Sequence, residues 1–345
     1  MKSYDYVKNK YSSSGIVKAK VLVTGADGFL GSHVVRRALD EGYLVRAFIQ
    51  SGRQVDVLDG LPVERFEGDL LKYEDIKSAL DGCDVIIHTA ASTAVWPSRA
   101  EWIWKINYDA VGDLAEEVIK QNIKRFVYIG SASSFGYGSM EEPGDEGSPF
   151  LGKKFGLDYL DSKKKAQDYL IREHKENDLP VIILNPTYMI GEYDTAPGSG
   201  KMVLAVGKQQ LPGYTSGGKC VVYVGDVAQA AVNAIQKGNL GECYITGGEN
   251  LSYKEFYKIV SKLTGARELK LKIPTLLVVF MGYCMELLAK ITKKAPLFSA
   301  CVARLSKDGH YYRSDKAIRV LGMPQTSARD AIQKAVDYFF EVGSL

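Results

Sequence analysis

The stretch that most constrains the fold is 21–31, where an apolar strand leads directly into a glycine-rich turn and then a helix. Gly25, Gly28 and Gly31 stand at the spacing G-x-x-G-x-x-G. Gly25 can take the positive φ of a tight turn, Gly28 lets a pyrophosphate approach the backbone, and Gly31 lets the helix pack closely against the strand. The N–H groups that begin the helix over 32–39 would point at the phosphates. The pattern predicts a dinucleotide-binding turn. The spacing alone also fits a plain turn, and the motif downstream distinguishes the two.

A second motif lies far downstream and consists of Tyr159 and Lys163, with Ser131 at the end of an earlier apolar run. Residues four apart share one face of a helix, so the ammonium can lie beneath the phenol. A phenol titrates near pH ~10 in water, and a neighbouring lysine and a positively charged nicotinamide would both lower its pKa. Ser131 can hydrogen-bond a substrate oxygen. Together with the glycine turn, these residues predict an oxidoreductase in which all three are catalytic.

Strands and helices alternate through the first half of the chain. Such alternation predicts a doubly wound α/β fold of the Rossmann type, with a parallel sheet and ligands at the carboxyl ends of the strands, where Pro186 also falls. Apolar runs predict buried strands at 21–23, 45–49, 63–66, 85–87, 126–129 and 181–184, with helices near 74–80, 102–121 and 159–176. A further strand at 221–224 and a helix at 226–235 are expected to return to this sheet.

The second half is less regular and predicts a smaller lobe. We expect an N-terminal extension at 1–17 and a dinucleotide-binding domain over 18–190 with 219–247. The remaining segments, 191–218 with 248–345, are expected to form a mainly helical C-terminal lobe that binds substrate.

Composition excludes several classes of function. A net charge of +3 without an arginine-rich tract argues against nucleic acid as a partner. The five cysteines show no C-x-x-C spacing and their odd number argues against a disulfide framework, which favours a reducing, cytoplasmic location. The four histidines form no metal-binding array, so no metal is expected.

An almost wholly apolar segment at 273–285 allows two interpretations. It is shorter than the ~20 residues that cross a bilayer, so it is either a buried helix of the second lobe or a peripheral patch resting on anionic lipid. Basic residues flank it on both sides, at Lys270, Lys272, Lys290, Lys293 and Lys294.

From about residue 18 to the C-terminus the chain resembles the extended short-chain dehydrogenase/reductases of the NAD-dependent epimerase/dehydratase superfamily. Within them it is most similar to the dihydroflavonol-4-reductase-like branch, which includes steroid dehydrogenase relatives and hopanoid-associated sugar epimerases. Besides the two motifs above, the resemblance rests on 68–70, 88–91, 107–112, 184–191 and 247–251. It implies that Asp69 and Leu70 flank the adenine and that Ala90 lines the cofactor channel.

The glycine turn and the end of the second strand indicate which nucleotide cofactor binds. An NAD-binding strand usually ends in a carboxylate, whereas this one ends Gln50-Ser51-Gly52-Arg53. A 2′-phosphate would meet no repulsion there and could bind Arg53, which favours NADP(H) over NAD(H). The alternative interpretation is that Arg53 is simply a solvated charge on a loop. The full set of expected cofactor-binding residues is Gly25, Gly28, Phe29, Leu30, Gly31, Arg53, Asp69, Leu70, Ala90, Lys163 and Pro186.

The residues beside the predicted catalytic residues limit the types of reaction that the chain can catalyse. Related dehydratases carry an Asp-Glu pair after the active-site hydroxyl, but here Ala132 and Ser133 follow, which excludes dehydration. The register places Lys219 where nucleotide-sugar epimerases carry a diphosphate-binding arginine, which weakens that function. The expected substrate residues are Ser133, Trp96, Tyr188 and Met189, and Asn107 is expected to steady the backbone near the site.

These observations favour an NADP-dependent reductase, reversible, that acts on a fairly apolar ketone or alcohol resembling a steroid, a flavonoid or a keto lipid. The alternative is a nucleotide-sugar epimerase with tightly bound NAD. A cofactor-binding redox sensor is a third interpretation, disfavoured because a pure binder needs no complete Ser131, Tyr159 and Lys163 set. A monomer or homodimer is expected.

Overall fold

The parallel sheet that the sequence predicts is present and has seven strands. The structure is a computed structural model that describes residues 19–345 except 54–55, 293–295 and 297–298. The extension at 1–17, together with Lys293 and Lys294, therefore lies outside the described residues. The strands are β1 (Lys20–Thr24), β2 (Leu44–Gln50), β3 (Glu64–Gly68), β4 (Val85–His88), β5 (Arg125–Ile129), β6 (Val181–Pro186), β7 (Tyr188–Ile190), β8 (Gly218–Tyr223), β9 (Cys243–Thr246), β10 (Glu249–Ser252) and β11 (Gly309–His310).

The seven strands follow the order β3-β2-β1-β4-β5-β6-β9, and every neighbouring pair is parallel. All six strands predicted for the first half of the chain belong to this sheet, which confirms the doubly wound fold. The strand order reverses between β1 and β4, and a crevice opens at the carboxyl edge of the sheet at such a point.

Helices cover both faces of the sheet, and others lie in the second lobe. The helices of the described residues are α1 (Phe29–Asp40), α2 (Tyr73–Leu80), α3 (Glu101–Trp104), α4 (Ala110–Lys120), α5 (Asp158–Asn177), α6 (Gly200–Gly207), α7 (Val224–Lys237), α8 (Tyr253–Thr264), α9 (Thr275–Thr292), α10 (Ala300–Leu305), α11 (Asp315–Leu321) and α12 (Ala328–Glu341). Because neighbouring strand residues point to opposite faces, Val21 and Val23 pack towards α1 and α7, whereas Leu22 packs towards α2, α4 and α5. The sheet is thus buried on both sides.

The second lobe contains a small sheet that the sequence did not predict. Its central strand is β8, which pairs antiparallel with β10 and parallel with β7 and β11. The strand expected at 221–224 therefore forms, but it does not return to the main sheet. The chain leaves the main sheet directly after β6, and β7 pairs with β8 in the small sheet. The strand beside β6 in the main sheet is β9.

The apolar segment at 273–285 lies in α9 from Thr275 onward. Of its two interpretations the buried helix is wrong, because one face packs on α10 and the other is exposed. Within the described ranges, none of the helices combines the length and hydropathy needed to span a membrane.

Candidate active site

The predicted site residues meet at the carboxyl edge of the main sheet. Gly25 follows β1, Asp69 follows β3, Ala90 follows β4 and Ser131 follows β5, while Pro186 ends β6. Residues spread over 160 positions of the chain are thereby brought to one crevice. This grouping is a direct consequence of the parallel sheet, in which all strands end on the same side.

The glycine turn is shaped by close backbone contacts. Gly25 has a φ of +64°, and a Cβ atom there would lie 2.8 Å from the Cα of Ala90. A Cβ at Gly31 would overlap the carbonyl oxygen of Gly25. Both positions therefore require glycine, the first for its conformation and the second for the close packing of α1 on the turn.

The N-terminus of α1 fits the pyrophosphate of a dinucleotide. Gly28 is its N-cap and provides no side chain to satisfy the first amides, and the first turn has no acidic residue. The first amides of a helix lack intrahelical acceptors and attract anions. Phe29 and Leu30 would contribute through their backbone, because the Leu30 side chain is buried in the core and Phe29 packs against it.

An ion pair lies beside the glycine turn. Arg53 Nη1 lies 2.9 Å from Oδ2 of Asp27, a buried carboxylate within the glycine turn. Arg53 is thus held beside the turn rather than projecting freely into solvent. Asp69 accepts a hydrogen bond from the Leu71 amide at 2.9 Å, and Leu70 packs partly buried against the core.

Two hydroxyl groups face each other where β5 ends. Tyr159, in the first turn of α5, has its Oη 3.5 Å from Oγ of Ser131. Ser131 Oγ is in turn 2.7 Å from Oγ of Ser133. Ser131, Ser133 and Tyr159 therefore form a cluster of hydroxyls to which a carbonyl oxygen could bind.

Lys163 lies one turn further along α5 and is buried. Its Nζ donates to the Ile129 carbonyl at 2.8 Å and lies 3.5 Å from Oη of Tyr128. Burial lowers the pKa of Lys163 to about 7. Burial also raises the pKa of Tyr159, and the hydrogen bond with Ser131 only partly opposes this. The lowering expected from Lys163 is not seen in the protein alone, because the ammonium bonds to the β5 backbone instead of the phenol.

The loop that carries Trp96 is fixed against the start of α5. Asp158 Oδ1 accepts from Arg99 Nη1 at 2.6 Å, and its Oδ2 accepts from the Ala100 amide at 2.7 Å. Trp96, which is partly buried, is therefore held on the loop next to the turn that carries Tyr159.

The structure separates Tyr188 and Met189. As neighbours in β7 they point in opposite directions: Tyr188 packs with Phe256 in the second lobe, and Met189 packs on the main core. The Tyr188 hydroxyl donates to the Ser199 carbonyl at 2.5 Å.

Comparison with known proteins shows the family of this chain. Residues 21–247 match the sequence profile of the NAD dependent epimerase/dehydratase family, well over half of the chain. The chain belongs to this family. Members of the epimerase/dehydratase family are extended short-chain dehydrogenase/reductases, and the protein is accordingly an NAD(P)-dependent oxidoreductase.

Two curated relatives align over nearly the whole length. Sterol demethylase protein B of Methylococcus capsulatus is 31% identical over 329 residues, covering 94% of this chain and 99% of that protein. A putative dihydroflavonol 4-reductase of Synechocystis is 29% identical over 322 residues, covering 92% and 93%. The crystal structure of gox2253 has a TM-score of 0.83 at 29% identity and covers 95% of this chain and all of that one. These similarities confirm the branch of the epimerase/dehydratase family that the sequence motifs indicate.

Several residues around the site of this epimerase/dehydratase family member were not predicted. Asn185 donates from Nδ2 to the Ser131 carbonyl at 3.0 Å and to Oε1 of Gln167 at 2.7 Å. His88 stacks on Tyr128, and its Nδ1 lies 2.7 Å from Oγ1 of Thr24. Burial lowers the pKa of His88 to about 3, so it is neutral at physiological pH. These polar groups lie inside strands and helices, where no spacing pattern marks them.

Asn107 lies in a π-helical turn, Lys105–Asp109, between α3 and α4. Its Oδ1 accepts from the Ser92 amide at 2.8 Å and its Nδ2 donates to the Ser92 carbonyl at 3.0 Å. The side chain thus bonds the backbone of the segment after β4, as expected from the sequence.

The buried ammonium of Lys163 should make stability depend on pH. Because its folded pKa is about 7 and its unfolded pKa near ~10.4, the unfolded chain binds more protons between these values. The free energy of unfolding should therefore rise with pH across this window, by at most about 1.4 kcal/mol per pH unit.

Urea unfolding at several pH values in this window measures the effect. Lys163→Met should lower the slope by about this amount, whereas Lys165→Met, on the exposed face of the same helix, should keep the wild-type slope. An equal slope in Lys163→Met and the wild type would show that the ammonium is not the source.

Proposed function

We propose that the protein is a reversible, NADP(H)-dependent oxidoreductase that reduces the carbonyl of a fairly apolar ketone. The observation that carries this proposal is the pair of hydroxyls of Tyr159 and Ser131, 3.5 Å apart and backed by the buried Lys163. A carbonyl oxygen placed between the two hydroxyls would accept a hydrogen bond from each. The bound nicotinamide supplies the hydride to the carbonyl carbon.

The protein's own residues would handle the proton. Tyr159 donates its proton to the oxygen as the alcohol forms, and Ser131 polarises the carbonyl. Burial raises the pKa of Tyr159, so the phenol carries its proton at neutral pH. Lys163 would hold the nicotinamide ribose and tune Tyr159, and Ser133 would help to orient the substrate.

The surroundings of Tyr159 favour an apolar substrate. Its ring packs against a cluster built on Phe155, Leu157 and Leu160. We propose that this cluster and the second lobe contact the substrate. A sterol demethylase protein and a dihydroflavonol reductase among the relatives support a ring-containing ketone.

The choice of NADP(H) rests on Arg53. Its ion pair with Asp27 holds the guanidinium beside the glycine turn through Nη1, and its other N–H groups could bind a 2′-phosphate. We expect NADPH to bind about 10-fold more tightly than NADH, and Arg53→Ala to remove most of this difference, since a hydrogen bond to a charged group contributes about 1.5–3 kcal/mol.

Fluorescence titration with both nucleotides measures the preference. Arg65→Ala, which removes an exposed arginine that pairs with Asp59, serves as the control and should keep it. Equal affinity for NADH and NADPH in the wild type would remove the basis for NADP(H).

The alternative function, a nucleotide-sugar epimerase, rests on Lys219. Its side chain is largely buried, and burial lowers its pKa to about 8. No ion pair of Lys219 is present in the described part of the chain, which leaves its ammonium available to an anionic substrate group. The nucleotide content of freshly purified protein separates the two functions: tightly retained NAD favours the epimerase, and an empty site that prefers NADPH favours the reductase.

A further inference from the structure

The most unusual surface of the protein is one face of α9. Six large apolar residues on this helix are each more than half exposed: Leu276, Leu277, Phe280, Leu287, Leu288 and Ile291. The surface helix of a globular protein normally turns its charged side to solvent and its apolar side to the core. On α9 the side that faces solvent is apolar instead.

The opposite face of α9 is used for packing on α10. Gly282 fits so closely that a Cβ atom there would lie 2.7 Å from the Cα of Ala300. Ala289 is buried, and Glu286 accepts from the Ala300 amide at 2.8 Å through its Oε1. The helix has just two charged residues, Glu286 and Lys290, and the acidic one is thus engaged with α10. The helix therefore already has a packed face, and the exposed apolar face is a second, separate face.

Basic residues flank α9 in the sequence on both sides. Lys270 and Lys272 precede α9 and are exposed. Lys290 lies in its last turn, and Lys293 and Lys294 follow it in the sequence. An apolar helix face between basic residues matches the boundary between acyl chains and anionic headgroups. A second copy of the chain is a poorer match, since two such faces would bring like charges together.

The exposed helix also lies close to the proposed reaction site. Beneath it, α10 contributes Cys301, whose Sγ donates to the Phe155 carbonyl at 2.9 Å. Leu305, at the end of α10, packs on the same apolar cluster as Tyr159. Helix α10 therefore lies between α9, which packs on it, and the apolar cluster that includes Tyr159.

We propose that α9 docks in the interfacial region of an anionic membrane, parallel to the bilayer surface, and that the lipophilic substrate enters from the lipid. The second part rests on the proposed function, whereas docking itself does not. The apolar face would lie among the acyl chains, and the flanking lysines would bind anionic headgroups.

Co-sedimentation with vesicles tests the docking. The full chain should bind vesicles of phosphatidylcholine with phosphatidylglycerol, and bind pure phosphatidylcholine vesicles more weakly. Phe280→Asp combined with Leu287→Asp should weaken binding by at least about 100-fold, because two apolar side chains no longer leave water on binding. Phe340→Asp, at a half-exposed phenylalanine of α12, is the matched control and should bind as the wild type does.

Three results would overturn the proposal. One is no binding to either vesicle type; another is equal binding by the double variant and the wild type. The third is a wild-type dimer that the double variant converts to a monomer in light scattering, which would show that a second copy covers the face. Because NADPH affinity and turnover of a water-soluble ketone are measured separately without vesicles, a failed docking experiment is distinguishable from a failed proposed function.

Discussion

Replacing Tyr159 with phenylalanine is expected to lower kcat by about 10²- to 10⁴-fold, the range that a positioned general acid contributes. The substitution removes the hydroxyl that lies 3.5 Å from Ser131 and keeps the ring that packs beside Leu160. NADPH affinity should change little, because the phenol bonds neither the glycine turn nor α1. The result would separate the proton donor from the nucleotide-binding residues.

Steady-state kinetics with a ring ketone, alongside nucleotide titration, measures both quantities. Tyr169→Phe is the matched control, since Tyr169 lies on the same helix and makes a ring contact with Tyr108 away from the crevice. Its kcat should match that of the wild type. Unchanged turnover in Tyr159→Phe would show that another group delivers the proton.

Gly31→Ala is expected to abolish measurable nucleotide binding. The added methyl group would overlap the Gly25 carbonyl and lie 2.8 Å from Oγ1 of Thr89, so the turn and α1 must separate. The amides of α1 would then no longer face the pyrophosphate. Overpacking of this kind also lowers the free energy of unfolding by about 1–3 kcal/mol.

Thermal unfolding with and without NADPH reads out both effects at once. The wild type should gain thermal stability from the nucleotide, and Gly31→Ala should gain none. Gly198→Ala is the control, because a Cβ there meets no atom within 4 Å. If NADPH stabilised Gly31→Ala as it does the wild type, the close contact of α1 with the turn would not govern binding.

The sequence predicted the main sheet better than the second lobe, for a physical reason. Buried parallel strands are continuous apolar runs, and β1, β2, β4, β5 and β6 each contain one, whereas the edge strand β3 is largely exposed and does not. β9 (Cys243–Thr246) is as short as β4, but its sequence Cys-Tyr-Ile-Thr has one aliphatic residue where β4 has the run Val-Ile-Ile. The apolar run in β8 is clear, but a run alone does not say which sheet a strand joins.

In the candidate site, too, some residues could be predicted from the sequence and others could not. Ser131, Tyr159 and Lys163 are recognisable because their chemistry requires fixed spacings along the chain. Asn185 and Gln167, which fix the Ser131 backbone, are brought together only by the packing of α5 on β6. Exposure is likewise a tertiary property: hydropathy identified the apolar segment in α9, and only the fold shows that its apolar face is exposed.

The position of β9 has a consequence for the order in which the chain is assembled. Between Pro186 and Cys243 the chain leaves the main sheet and forms β7, α6, β8 and α7 before it returns. During synthesis from the N-terminus, the outer edge of β6 has no partner until residue 246 has been made. Unpaired strand edges invite pairing with other chains. The nascent protein therefore carries an open sheet edge through nearly sixty residues of translation, and that edge closes only when the strand that follows α7 arrives.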